Sequence, residues 1–251
     1  MRGNLRNTVL VLGAALAAAL PESGGGKPLP SVLAAAAQAP APAKVQAQFI
    51  GNTAFAITDG KTVLYTDFPY QSGAFGYMTY DFATVPKAPG SLFLITHGHA
   101  DHFEPSLLAK MDGKIIAPPK VAATLPADRV IPFAPKMTYR DITVEAFATP
   151  HGDADHDSYL VTWQGLRLYF TGDTDNVDQL LAMKSLDYAF VSPWLLAKVA
   201  EKKARIDARH VICYHHKAND KVPEVQNRLV PMPGSVLSLE AAPAKSAGAA
   251  R

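Results

Sequence analysis

The segment Thr96-His97-Gly98-His99-Ala100-Asp101-His102-Phe103 places three imidazoles and a carboxylate within six positions, directly after the apolar run Leu92-Phe93-Leu94-Ile95. A chain built this way has to bury a strand and then, at its end, present four strongly polar side chains in one loop at a sheet edge. Neutral imidazole and carboxylate are the ligand types that zinc and similar divalent ions prefer. Crowded together without an ion, such groups would leave desolvated polar atoms unsatisfied, at roughly 1–3 kcal/mol each. A His-rich surface loop is the competing reading, and it is disfavoured because three of only eight His in the chain fall here.

At 251 residues and 48% hydrophobic content, the chain can bury one sizeable core or two small ones. Its formal net charge of +2 is too small to make nucleic acid or an anionic membrane surface the expected partner. A small-molecule substrate is expected instead. The single cysteine, Cys213, excludes an intramolecular disulfide framework and a multi-Cys zinc finger.

Arg2 and Arg6 precede the apolar stretch Thr8 to Leu20, the layout of a secretory signal peptide. The run falls short of the ~20 apolar residues that a spanning helix needs. Residues 1–20 are expected to be a signal peptide cleaved somewhere within 20–44, with export to the periplasm or the medium. An uncleaved apolar helix packed on the domain is the alternative. No Cys follows the apolar run, so no stable membrane anchor is expected. Residues 21–44 read as a low-complexity linker, 45–235 as the folded domain, and 236–251, mostly Ala, Ser, Gly and Pro, as a disordered tail. Gly24-Gly25-Gly26-Lys27 lacks the following Ser or Thr of a phosphate-binding loop.

From residue 45 the pattern is one of short β-type runs. Val45 to Ile50, Thr53 to Thr58 and Thr62 to Thr66 are separated by the turn signals Gly51-Asn52 and Asp59-Gly60. An aromatic- and Gly-rich loop follows from Phe68 to Phe82, suited either to core packing or to a wall of a substrate pocket. Further strands are predicted at Leu92 to Ile95, Lys114 to Ala117, Ile142 to Phe147, Tyr159 to Trp163, Leu166 to Phe170, Tyr188 to Val191 and Val211 to Cys213. Helices are predicted at Pro105 to Met111, Val177 to Met183 and Leu195 to Ile206. Strand after strand runs into a His or Asp: Asp67, His97, His151, Asp173 and His215. Loops on one edge of a rigid sheet are where sites are commonly assembled, so these ends are expected to converge.

The His-x-His-x-Asp-His string, the later isolated His151, the Gly172-Asp173 pair and the final His215 resemble the metallo-β-lactamase superfamily over roughly residues 45–230. The resemblance implies an α/β (α+β) fold, a four-layer αββα sandwich of two mixed β-sheets with flanking helices. It also implies two divalent metal ions, Zn2+ foremost and Mn2+ or Fe2+ by the same donor chemistry. In that family's arrangement His97, His99 and His151 hold the first ion, Asp101, His102 and His215 the second, and Asp173 bridges them. Asp67 matches the Asp that buttresses the ligand loop without touching metal. Two cations ~3.5–4 Å apart can share a water and bring its pKa near neutrality, which implies hydrolysis of a small ester, lactone or phosphodiester. Asp101 is assigned a catalytic role as ligand and as acceptor orienting that water. The rivals are a mononuclear iron oxygenase of the persulfide-dioxygenase type and a non-catalytic metal-stabilised binding protein.

Branches of the superfamily differ at readable positions. Flavodiiron proteins carry Glu where His99 stands, and class B β-lactamases usually carry Cys at the Asp173 position. What remains resembles the compact group typified by ascorbate-6-phosphate lactonase, whose Gly-His-Ala/Ser-x-Phe is similar to Gly51-Asn52-Thr53-Ala54-Phe55 with Asn52 in place of the His. The motif's register favours His215 as the last ligand, leaving His216 as a pocket-lining proton donor beside Tyr70 and Tyr77 as candidate substrate contacts. His156, among Asp153, Asp155 and Asp157, reads as a solvated surface His, and Cys213 as a buried small hydrophobe. Lys198 to Arg209 reads as a solvated helix face.

Overall fold

The computed structural model describes residues 44–217, 220–223, 225 and 227–242. The segments expected to be signal peptide and linker lie outside these residues, save Lys44. Thirteen strands run in chain order: β1 (Val45–Gly51), β2 (Ala54–Thr58), β3 (Val63–Thr66), β4 (Ser91–Leu94), β5 (Gly113–Ile116), β6 (Lys136–Tyr139), β7 (Ile142–Ala148), β8 (Asp157–Trp163), β9 (Leu166–Phe170), β10 (Leu186–Val191), β11 (Ala208–Cys213), β12 (Arg228–Leu229) and β13 (Val236–Leu239). Helices are short: α1 (Pro105–Leu108), α2 (Pro119–Ala122), α3 (Val177–Ala182) and α4 (Pro193–Glu201). Among the described residues no helix is long and apolar enough to cross a membrane.

One sheet has the order β13-β1-β2-β3-β4-β5 and the other β12-β11-β10-β9-β8-β7-β6. Both are mixed: β3-β4-β5 and β9-β10-β11-β12 pair parallel, and their neighbours antiparallel. Alternation along the strands sends one row of side chains inward. Phe55, Ile57, Leu64 and Leu94 from the first sheet meet Val161, Trp163, Phe170 and Phe190 from the second, forming the central core. Phe55 and Phe170 both contact Phe190, with ring centroids 5.0 and 4.3 Å away. The outer face of the second sheet is covered by α3 and α4, through Leu180, Leu195, Leu196 and Val199. On the first sheet α1 and α2 span only four residues each, so the aromatic loop completes the layer: Phe68, Tyr70, Tyr80 and Phe82 pack on Tyr65 and Phe93. The result is the expected four-layer αββα sandwich.

Several expectations need correction. Residues 236–239 are not tail: they form β13, hydrogen-bonded antiparallel to β1 with Val45 opposite Leu239. The alternation Val236-Leu237-Ser238-Leu239 puts Leu239 in the core at 3% exposure. It also covers a β1 edge whose ladder groups would otherwise stay unpaired. Residues 243–251 lie outside the described ones. The helix expected at Leu195 to Ile206 ends at Glu201, so the basic run continues into a turn rather than along a helix face.

Leu239→Ala should cost about 2–3 kcal/mol by denaturant unfolding with an unchanged m-value, whereas a tail residue would cost nothing. Asp157 opens β8, its amide donating to Thr96 O at 3.0 Å across the sandwich. Burial, with Asp155 adding to it, pushes its carboxyl up to about 6. The native state thus favours the neutral acid, and stability is lost as pH rises from the ordinary carboxyl pKa through about 6. Asp157→Asn should therefore be about 1–2 kcal/mol more stable than the parent at pH 7.5, with no difference at pH 4.

Candidate metal centre

β3 and β4 run parallel, so Asp67 and the 96–102 loop leave the sheet side by side, with the Asp67 amide donating to Leu94 O at 2.9 Å. In the other sheet β7 and β9 are both antiparallel to β8, and β11 runs with β9 through β10. His151, Asp173 and His215, which follow β7, β9 and β11, therefore emerge at one edge. The structure brings His97, His99 and His151 into one group and Asp101, His102, Asp173 and His215 into another, the ligand atoms of each within 4.8 Å of one another.

In the first group His97 Nε2 lies 3.0 Å from His99 Nδ1, which lies 3.3 Å from His151 Nε2. His97 Nδ1 faces the Thr96 hydroxyl at 3.1 Å, and that hydroxyl also lies 2.9 Å from Asp67 Oδ2. The carboxylate can only accept, so the hydroxyl proton goes to Asp67 and Thr96 accepts from His97 Nδ1–H. The lone pair of His97 Nε2 is thereby turned toward His99 and His151. Burial, and then His102, hold His97 far below the ordinary histidine range. An ion with tetrahedral bonds of about 2.0–2.1 Å sets nitrogens about 3.4 Å apart, close to the spacing seen.

In the second group His102 Nε2 lies 3.1 Å from His215 Nε2 and 3.2 Å from Asp173 Oδ1. His215 Nε2 is 2.9 Å from Asp173 Oδ2 and 3.3 Å from Asp101 Oδ2. Asp173 Oδ2 is also 3.9 Å from His151 Nε2, so this carboxylate stands between the groups. His102 Nδ1 donates to Asp67 Oδ2 at 3.0 Å, leaving the Nε2 lone pair pointed at two carboxylates. Burial opposes charge on His102, yet Asp173 and Asp67 outweigh it and raise its pKa well above the ordinary value. Burial likewise opposes ionisation of Asp173, but His102 and His215 hold it well below the carboxylate range. Asp173 Oδ1 is buried with no hydrogen bond. Converging lone pairs and an orphaned carboxylate oxygen fit divalent cations: His97, His99 and His151 could hold one, and Asp101, His102 and His215 a second, with Asp173 shared.

Asp67, 1% exposed, accepts from the Thr96 amide at 2.7 Å, the Thr96 hydroxyl and His102. Tyr77 and Trp194 stand edge-on to the His215 ring, with centroids at 4.3 and 4.9 Å. Tyr70 is not at the site. It is fully buried in the outer core and donates to Met78 O at 2.8 Å, because the aromatic loop had to serve as the missing helix. His216 joins neither group; its ring Nδ1 lies 3.1 Å from Lys217 O. Cys213 is buried, and burial pushes its thiol up to about 12, which makes it inert.

Besides Trp194, three contributors escaped the sequence reading. Asn52 Nδ2 donates to Asp101 O at 2.7 Å while the Asn52 carbonyl accepts from the His215 amide at 2.8 Å. In the sequence it is a turn residue standing in place of the family's His, with no role readable, and its φ of 52° is one that Asn tolerates. Thr53 Oγ1 stands 3.3 Å from His102 Nδ1. His156 is buried rather than solvated and accepts from the Asp173 amide at 3.0 Å; its acidic neighbours gave no hint of this. Beside His99 opens a cavity of about 490 Å3, lined by Phe103, Pro105, Val121 and Ala154 with Lys120, Asp153 and Asp155 at its polar side.

A family model described as a beta-lactamase superfamily domain matches residues 83–211. Among solved structures, the metallo-β-lactamase-fold protein YhfI from Bacillus subtilis is similar at 14% identity and TM-score 0.60, over 78% of this chain and 99% of that one. A metallo hydrolase from the hyperthermophilic archaeon Ignicoccus hospitalis gives 13% identity and TM-score 0.58, over 78% and 99%. A protein described as a metal-dependent hydrolase from Parabacteroides distasonis gives 22% identity and TM-score 0.56, over 71% and 86%. No curated protein matches. With more than half of its length matched by the family model, the chain belongs to the β-lactamase superfamily.

Proposed function

We propose that this protein is a metal-dependent hydrolase of small carboxylic esters or lactones. The observation that carries the reading is the pair of donor groups, seven side chains on four loops, with the ligand atoms of each group within 4.8 Å of one another. Two divalent cations bound there, Zn2+ or by the same donor chemistry Mn2+ or Fe2+, supply Lewis acidity and a water acidified toward neutral pH. The protein's own groups do the rest. Asp101, anchored through its backbone by Asn52, offers Oδ2 to orient the attacking water by accepting its proton. Burial, with Asp173 and Asp101 adding to it, holds the Tyr77 phenol up to about 12. It therefore stays protonated and, with Trp194, forms a wall that keeps bulk water from the His215 side.

The cavity beside His99 supports an ester over a phosphodiester. Its lining is largely apolar, and Asp153 and Asp155 outnumber Lys120 in charge, which disfavours an anionic group. Its volume of about 490 Å3 is in the range that holds a small ligand. The complete second group, Asp101, His102, Asp173 and His215, supports two ions over a mononuclear iron site. The basic-then-apolar stretch at residues 2–20 supports export, which fractionation of cells tests directly.

Elemental analysis should find two divalent ions per chain, and chelator should abolish turnover of p-nitrophenyl esters and lactones. One iron per chain would favour the oxygenase, and no turnover on a broad ester and phosphodiester panel would favour a binding protein. Asp101→Asn should lower kcat about 100-fold or more with little change in KM. Val121→Trp, which fills the cavity, should lower kcat/KM about 10-fold for octanoyl esters and leave acetyl esters within about 2-fold. Equal effects on both would remove the cavity from the substrate path.

A further inference from the structure

His156 stands behind the first donor group, its ring centroid 5.2 Å from that of His97 and 5.6 Å from that of His151. It is 4% exposed, and both of its ring nitrogens have partners within the protein. The Asp173 amide donates to Nε2 at 3.0 Å, so Nε2 carries no proton and the hydrogen sits on Nδ1. Nδ1 faces Thr149 Oγ1 at 2.9 Å, Thr149 Oγ1 lies 3.0 Å from Ser158 Oγ, and Ser158 donates to Thr171 O at 2.7 Å. The donors all point one way. The chain of bonds begins at Asp173 and closes two residues earlier, crossing the ends of β7, β8 and β9. Between its ends lies Gly172, at φ 58°, where a Cβ would come 2.3 Å from His156 Nε2. The backbone thus approaches the imidazole more closely than any other residue type would allow.

We propose that His156 is a positioning residue that, through the Asp173 amide, fixes where the Asp173 carboxylate stands between the two donor groups. The inference rests on the dinuclear reading above. It assigns His156 no contact with substrate or ion. A histidine that merely filled space would need neither a fixed tautomer nor a relay back to Thr171.

Two isosteric substitutions separate positioning from packing. In His156→Gln the side-chain oxygen reaches the place of Nε2 and can still accept from the Asp173 amide. In His156→Asn the amide reaches only the place of Nδ1. Full-length chain stripped with chelator is titrated with Zn2+ by calorimetry and with Co2+ by visible absorption. His156→Asn should weaken one of the two ions about 10–100-fold and alter the Co2+ spectrum, while His156→Gln stays within about 3-fold of the parent. Thr149→Val, which removes the acceptor for Nδ1–H, should move affinity in the same direction as His156→Asn. Thermal unfolding in chelator should place the Gln and Asn variants close together. Equal Zn2+ affinities for the Gln and Asn variants, or an Asn variant that binds two ions like the parent, would overturn the proposal while leaving the dinuclear reading intact. A parent chain that takes up no Zn2+ would overturn both.

Discussion

The buried carboxylate of Asp67 organises the centre without belonging to either donor group. At 1% exposed, this group would be costly if unpaired. The Thr96 amide, the Thr96 hydroxyl and His102 Nδ1 all donate to it. Satisfying one buried charge therefore does three things. It clamps the start of the 96–102 loop to the end of β3, it makes Thr96 an acceptor for His97 Nδ1–H, and it fixes the proton of His102 on the side away from the site. Two imidazoles in different donor groups thus owe their tautomers to one carboxylate, the kind of outer support that orients ligands in metal sites.

That clamp can act only because strand direction has already delivered the groups to one edge. β3 and β4 run parallel in one sheet. In the other, two successive reversals make β7 co-directional with β9, and β9, β10 and β11 run parallel. Loops after such strands leave on the same side, so residues as distant as Asp67 and His215 flank one ring, that of His102, with little help from helices. Asn52 joins the two sheets at this edge, holding Asp101 by its side chain and His215 by its backbone. The core behind these loops is close-packed aromatic and aliphatic, from Phe55 through Phe190 to Phe170. Small adjustments of one loop are therefore resisted by the others.

What the sequence discloses about this site follows from how local each signal is. The four side chains at 97–102 are contiguous, so chain connectivity alone brings them together. The positions of His151, Asp173 and His215 at strand ends are also readable, since period-2 apolar runs mark the strands and the next polar residue marks the loop. The supporting bonds are not readable in this way. His156 looks solvated among Asp153, Asp155 and Asp157, and its role depends on a partner seventeen positions away. Asn52 depends on one forty-nine positions away. Tyr70 and Tyr77 sit in one loop of uniform composition, yet one is core and the other faces His215, because the loop does a helix's packing work on one side only. β13 was hidden for a related reason: four residues of strand lie next to Ala- and Pro-rich chain, and only pairing with β1 reveals them.

Charge sharpens the argument for two ions. Asp67, Asp101 and Asp173 place three buried carboxylates around the imidazoles, and Asp67 fixes the tautomers of His97 and His102. With the imidazoles neutral, as metal ligands must be, the cluster would carry three negative charges in a region largely removed from water, where such charges demand compensation. One divalent ion would leave an excess negative charge that repels an anion forming on a substrate. Two would leave a single positive charge, which stabilises the anion that develops as an acyl centre is attacked. The count of carboxylates thus supports the proposed pair of cations on electrostatic grounds separate from the spacing of the donors. On the dinuclear reading, the hydrogen bond from the Asp173 amide to His156 would keep the carboxylate from shifting toward either group.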